Sequence, residues 1–350
     1  MSNHTIAVYG ASGFQGVLVL TELARRGLTA VLVGRDADKL KAAAARAGTP
    51  DAELRVAAVD DHSALVAAFQ DVDAVINCAG PFTPTGDRVV AAAIAAGTHY
   101  VDTCGEQPFL RHVYETYPAA AESAGVTVVP AATDGGIPGD LLAHLLGDHL
   151  GPLAELTSVH RFGGETAMSR GSLRSMLGIA EAMTDGGVAY VDKAWRSGPF
   201  APLAPVPLPG APEPVALAPF PLQEPISVPR HLAVRTVRGA VEESTRALFA
   251  TPLTDETIAT LPVGPDAGQR GAGTWTIVLD AVAEDGRRAR GVVSGPDTYG
   301  TTAWTAVAAA QRLARGTAPA GVLAPAQAFD PADFLSALAP FGVRWAIEDR

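Results

Sequence analysis

Gly10, Gly13 and Gly16 stand three apart in TIAVYGASGFQGVLVL, between an apolar run and a stretch of helical periodicity. Glycines at that spacing suit the binding of a diphosphate. Gly10 allows a tight turn out of a strand, Gly13 lets the backbone approach phosphates with no Cβ in the way, and Gly16 lets the next helix pack close to a sheet. Ser12 and Phe14 lie in the same turn, whose amides and positive helix end would face the ligand. The expected cofactor contacts here are Gly10, Ser12, Gly13, Phe14 and Gly16.

A second group follows later apolar runs. Gly34 and Arg35 close VLVGR, where an acid would accept from the ribose hydroxyl of NADH and an arginine would pair with the extra phosphate of NADPH. Asp36 opens an Asp-x-x-Lys and reads as a helix N-cap, so Arg35 decides and NADPH is expected over NADH. Asp60, ending VAAVD, is expected as an adenine-side contact, with capping of the helix after His62 as its alternative. In NCAGPF, Asn77, Ala79, Gly80, Pro81 and Phe82 form the loop expected to seat the nicotinamide ribose, and Pro81 forces a turn. Tyr100, Asp102 and Glu106, with Cys104 in HYVDTCGEQPF, are the candidate catalytic groups: such a cluster orients a substrate or donates a proton. Helix capping competes for Asp102 and Glu106. Asp134 and Asp140 in AATDGGIPGDLLAHL are further acids that spacing does not rank.

The elements that must position these residues are legible as an alternation. VYG, AVLVGR, LRVAAVD, DAVINCAG, HYVDTCG and VTVVPAAT are strand-like runs, each followed by helical periodicity, the pattern of parallel β-α-β units. They predict an α/β fold with a doubly wound Rossmann domain over 1–150, its ligand across the carboxyl ends of the strands. The rhythm breaks afterwards: LTSVHRFGG and TWTIVLDAVAED read as partly exposed antiparallel strands, so 151–296 is expected as an α+β substrate or dimerisation domain with a mixed or antiparallel sheet. Residues 199–229 hold 11 prolines, which predicts an extended, polyproline-like excursion free of helix and central strand. TYGTTAWTAVAAAQRLARG is a helix with a basic last turn and Gly316 as its stop. It is expected to return to the first domain and cover its sheet, making that domain discontinuous, 1–150 with 297–350.

Composition excludes several classes. A length of 350 residues with 48% hydrophobic and 18% charged side chains suits two packed domains. Net charge of −11 argues against a nucleic-acid partner. No apolar stretch reaches transmembrane length and the first strand begins too early for a signal peptide, so no membrane association and a cytoplasmic setting are expected. Cys78 and Cys104 are too few for a disulfide framework and lack zinc spacing. His144 and His149 point to different helix faces, so no metal is expected. No Tyr-x-x-x-Lys or Gly-x-Ser-x-Gly is present, which argues against short-chain dehydrogenase and serine hydrolase chemistry.

Taken in order, GASGFQG, VGR, INCAGPF, GTHYVDTCGE and TDGGIPGDL resemble the saccharopine dehydrogenase-like oxidoreductases, including the bacterial branch of trans-acting enoyl reductases. SRGSLRSML, SGPDTYGTTAWTAVAAAQRLA and GVLAPAQAFDPADFLSAL extend the resemblance over most of the chain. It implies an NADP-binding Rossmann domain, a mixed-sheet second domain and a homodimer. TDGG replaces the usual FDS, which removes a pocket aromatic and suggests a small or unusual substrate. Arg161, Arg170, Arg174 and Arg196 are available to meet carboxylates. The expected activity is NADPH-dependent reduction of a C=N or activated C=C bond in a small metabolite; the alternative is a non-catalytic NADP-binding sensor or scaffold.

Overall fold

In a computed structural model that describes residues 4–164, 167–249 and 254–350, all six apolar runs become strands. They are β1 (Thr5–Tyr9), β2 (Thr29–Gly34), β3 (Glu53–Val56), β4 (Ala74–Asn77), β5 (His99–Asp102) and β6 (Thr127–Val129). Helices α1 (Phe14–Arg25), α2 (Ala37–Arg46), α3 (His62–Phe69), α4 (Phe82–Ala95), α5 (Gln107–Thr116) and α6 (Pro118–Ala124) connect them. Each strand pairs in parallel with its neighbours. Parallel strands with helices on both faces must be apolar throughout, and Ile6, Ala7, Val8, Val75 and Ile76 are accordingly inaccessible to solvent. From one edge the order is β3-β2-β1-β4-β5-β6, so it reverses between β1 and β4, and the crevice for a dinucleotide opens there.

Helix α7 (Gly136–Leu150) then leads into the second sheet. Its strands are β7 (Leu153–Gly163), β8 (Val188–Val191), β9 (Ala194–Ser197), β10 (Leu203–Val206), β11 (Val215–Pro219), β12 (Val234–Glu242), β13 (Thr274–Ala283) and β14 (Arg288–Pro296). The sheet is mixed: β12 runs parallel to β7, while β13 and β14 are antiparallel. α7 packs on β13 and β14. Leu141, Leu142 and Leu146 of α7 belong to one core with Ile6 and Ile76 of the first sheet and Ile277, Leu279 and Val293 of the second. Burial of each such side chain contributes roughly 1.5–3 kcal/mol.

The helix Thr298–Leu313 returns to α1, β4 and β5, burying Ala303, Ala306, Val307, Ala310 and Leu313. β15 (Gly321–Val322) adds a seventh strand beside β6. The last strand departs from the expected extent of the first domain: β16 (Arg344–Asp349) pairs with β14 in the second sheet.

The proline-rich stretch also needs correcting. Rather than a polyproline-like excursion it forms β10, β11 and the short helix Glu224–Ser227. Its prolines sit where they interrupt little. β10 is an edge strand whose register shifts between Leu203 and Val206, around Pro205, and β11 meets proline only at its last residue, Pro219. Prolines are tolerated at edges, bulges and strand ends. Leu208, Leu217, Leu222 and Ile226 from this stretch are buried.

Candidate functional site

At the end of β1 the Gly10 amide donates to the Val33 carbonyl at 3.0 Å, and the Gly13 amide to the Gly10 carbonyl at 2.9 Å. Gly10 has φ +76°, and a Cβ there would stand 2.9 Å from the Ala79 amide nitrogen. Only glycine lets the turn meet the β4 loop this closely. A Cβ on Gly16 would overlap the Gly10 carbonyl oxygen. Gly13 is exposed and Ser12 half-buried. The cap of α1, Gly13, offers no side-chain acceptor, and no acid stands in the first turn. The helix therefore opens on the crevice with its amides and positive end unmasked. The residues fit a diphosphate.

Arg35 is exposed and, among the described residues, makes no hydrogen bond or ion pair; its charge acts on the Tyr9 hydroxyl, as does that of Asp60. Asp36 is committed as the cap of α2, accepting from the Lys39 amide at 3.1 Å and pairing with the Lys39 ammonium. The cap of α3 is Asp61, not Asp60: Asp61 accepts from the Ala64 amide at 2.9 Å. Asp60 is thereby left exposed at the end of the crevice that Arg35 occupies.

In the β4 loop, Asn77 is fully buried. Its Oδ1 accepts from the Ala79 amide at 2.9 Å and its Nδ2 donates to the Tyr100 hydroxyl at 3.1 Å. It shapes the loop instead of facing the crevice, and Phe82 is likewise buried, packed on Phe109. Of the loop residues expected to seat the ribose, Ala79, Gly80 and Pro81 are exposed to some degree.

The three candidate catalytic groups are buried as well, and this changes their reading. Glu106, 1% exposed, accepts from the Phe82 and Thr83 amides at 2.8 and 2.7 Å and from the Thr83 hydroxyl at 2.6 Å. It caps α4 from across the loop. Asp102 Oδ1 accepts from the Cys104 and Ala131 amides at 3.0 and 2.8 Å. Among the described residues its Oδ2 is buried without a hydrogen-bond partner, and the neighbouring Tyr100 hydroxyl lowers the Asp102 pKa. Burial dominates and pushes the Asp102 carboxyl up to about 6. Burial, reinforced by Asp102, holds the Tyr100 hydroxyl well above its ordinary value. The Cys78 thiol is pushed up to about 12, again by burial. Asp102 and Glu106 fasten the loops after β4, β5 and β6 to one another, while the Tyr100 hydroxyl and the Cys78 thiol keep their protons at neutral pH. As the expected substrate-facing set, Tyr100, Asp102 and Glu106 are displaced inward.

A cluster that local spacing did not reveal stands at the junction of the two sheets. His160 on β7, 6% exposed, shares a 2.7 Å hydrogen bond through Nε2 with Glu224 Oε1. Glu224 is inaccessible and its Oε2 has no partner among the described residues. Asp134, in the loop after β6, accepts from the Thr302 hydroxyl at 3.0 Å. Burial pushes its carboxyl up to about 6, while Thr302 and the His160 charge pull it down. The His160 pKa is raised: burial opposes the charged ring, but Glu224 and Asp134 outweigh it. His160 and Glu224 lie 64 positions apart in the chain, so only the fold pairs them.

Helix α8 (Arg170–Gly178) reaches over the crevice from the second domain. The Ser169 amide donates to the Tyr299 hydroxyl at 2.8 Å, and the Tyr299 ring stands edge-on to Phe14 with centroids 5.0 Å apart. Further along α8, Ser175 Oγ lies 3.1 Å from where a Gly80 Cβ would be. A Cβ on Gly264 would overlap the Phe14 ring, so Phe14 serves as a seat for the second domain. The arginines do not converge: Arg161 pairs with Glu242, Arg174 with Asp255, and Arg170 donates to the Leu261 carbonyl. Among the described residues, no three His, Cys, Asp or Glu side chains are grouped to hold a metal ion, and no helix is long and apolar enough to cross a membrane. Two shallow cavities of about 180 and 250 Å³, lined by residues such as Phe200 and Tyr190, share no residue with this crevice.

Comparison with known proteins agrees with this geometry. Residues 6–129 match the family model described as the saccharopine dehydrogenase NADP binding domain. A trans-acting enoyl reductase of Mycobacterium ulcerans is 34% identical over 187 residues, 51% of this chain and 44% of that protein. A lipid droplet localized protein of Caenorhabditis elegans is 32% identical over 156 residues, 42% of this chain and 37% of that protein. The chain thus spans less than half the length of these relatives. The structure of a saccharopine dehydrogenase (L-Glu forming) from Saccharomyces cerevisiae superposes with a TM-score of 0.66 at 16% identity, covering 99% of this chain and 100% of that one. The segment 6–129 accordingly matches the saccharopine dehydrogenase NADP-binding family model, within a chain that shares the fold of that saccharopine dehydrogenase structure.

Proposed function

We propose that this protein is an NADPH-dependent reductase of a C=N or activated C=C bond in a small metabolite held between the two domains. The observation that carries the reading is the pairing of an unmasked glycine turn with Arg35, whose guanidinium is unspent while Asp36 is used as a cap. Bound NADPH would supply the hydride. The chain's own work is placement. The amides of residues 13–16 would hold the diphosphate, Arg35 the ribose phosphate, and Ala79, Gly80 and Pro81 the nicotinamide ribose. Helix α8 and Tyr299 would close the crevice against water.

Calorimetry with NADPH and NADH, followed by NADPH oxidation against panels of imines and enoyl thioesters, tests the proposal. Affinity for NADPH with turnover in one panel supports it. Affinity with no turnover in either returns the sensor reading, and no affinity for either coenzyme removes both. A homodimer in a cytoplasmic setting completes the proposal, and sedimentation of the purified chain checks the first part.

A further inference from the structure

We infer that His160 is the proton donor of the proposed reduction, held in its working tautomer by Glu224. The inference rests on the reductase reading above and supplies the group that the β5 cluster, spent on backbone amides, does not.

The position comes first. In a sheet ordered about β1 and β4, the reactive half of the dinucleotide lies over the carboxyl ends of β4, β5 and β6. The loop after β6 is fixed to the end of β5, where the Ala132 amide donates to the Asp102 carbonyl at 2.7 Å. Two residues further on, this loop meets His160. A Cβ on Gly135 would stand 2.8 Å from His160 Cε1 and 3.2 Å from Nδ1, and one on Gly139, a turn later in α7, would overlap Glu224 Oε1. The first turn of α7 is thus bare where the pair lies against it. His160 approaches from the second sheet, opposite the glycine turn, so cofactor and donor would flank the substrate from different domains.

Next comes the proton. A carboxylate can only accept, so Glu224 takes the Nε2 hydrogen and the exchangeable proton resides on Nδ1, which has no hydrogen bond among the described residues. The ionisable groups facing the ring are Glu224 and Asp134; its register neighbours on β12 and β13 are the uncharged Val241 and Ile277. Two acids and no competing cation favour the imidazolium. As carbon takes the hydride from NADPH, the π electron pair moves to the other atom of the bond, nitrogen or carbon, and that atom takes the Nδ1 proton. The ring is left neutral, still donating to Glu224, and solvent returns the proton.

The test uses the full chain with NADPH, methylpyrroline as imine and crotonyl-CoA as enoyl probe. In His160→Asn, kcat should fall about 100-fold or more, with NADPH affinity by calorimetry unchanged. The wild-type rate should decline as pH rises through the raised His160 pKa, and that alkaline limb should vanish in the variant. Glu224→Gln should reduce kcat about tenfold and move the limb to lower pH, which decides the matter should His160→Asn not fold. A His160→Asn enzyme within about threefold of wild type, or one retaining the limb, overturns the donor role and leaves the reductase reading intact. A wild type that binds NADPH but reduces neither probe overturns both.

Discussion

The end of β5 and the junction around His160 carry the same kinds of residue and use them in opposite ways. At β5, Asp102 Oδ1 and both oxygens of Glu106 are spent on donors within the same set of loops, five in all counting the Thr83 hydroxyl, and only Asp102 Oδ2 is left over. At the junction, Asp134, His160 and Glu224 come from separate elements and bind side chains, leaving Glu224 Oε2 unsatisfied and His160 Nδ1 without a hydrogen bond among the described residues. A carboxylate that ties down amides is part of the scaffold; one that orients a titratable ring leaves a proton to give away. Proximity of acids in sequence therefore says little about which of them are chemically free.

Removing Glu106 should break the β5 side most severely. Glu106→Ala leaves the buried Phe82 amide and the part-buried Thr83 amide unpaired, a loss of about 2–4 kcal/mol by denaturant titration, with Glu106→Gln recovering part of it. A change near zero would place Glu106 among the free acids. Asp102 gives the next effect, through pH. Its folded pKa of about 6 lies above the unfolded value near 4. Its contribution is therefore fully present below about pH 4 and is lost as pH rises through about 6, roughly 2–3 kcal/mol in all. Asp102→Asn keeps an acceptor for both amides and abolishes that loss, so it should gain on wild type between about pH 4.5 and 7.5; thermal midpoints that run parallel would contradict this.

The same contrast recurs at the end of β2. Arg35→Ala should weaken NADPH binding by about 10- to 100-fold, as expected for losing a charge-assisted bond to phosphate, and leave NADH nearly untouched; equal losses would strike out the assignment. The smallest change is expected from Asp36→Ala, which removes a cap and should lower the thermal midpoint by ~2 °C. The ratio of NADPH to NADH affinity should not move, since Asp36 is spent on α2.

Legibility followed the range over which the physics acts. The parallel strands could be read because strands buried on both faces must be apolar without interruption, and the turn because only glycines admit the contacts of Gly10 with Ala79 and of Gly16 with Gly10. The Asp36 cap is a three-residue signal, visible in the chain. The β10–β11 hairpin was not, because whether a proline breaks a strand depends on where the sheet's edge lies. Capping also slips by one residue easily: Asp61 and Asp60 are adjacent and chemically alike, and backbone direction alone chose Asp61 for α3. His160 gave no local sign, since its meaning comes from Glu224 and from two glycines at the start of α7.

The path of the chain between the sheets has one more outcome. It leaves the first sheet after β6, rejoins it at β15 and departs again for β16, so three covalent crossings join the lobes. Large hinge rotation would tug on every crossing at once, which restricts relative motion of the lobes to small rocking displacements. Cutting the gene after residue 150 would strip away Thr298–Leu313 and uncover a greasy flank of the sheet, so the excised fragment should aggregate.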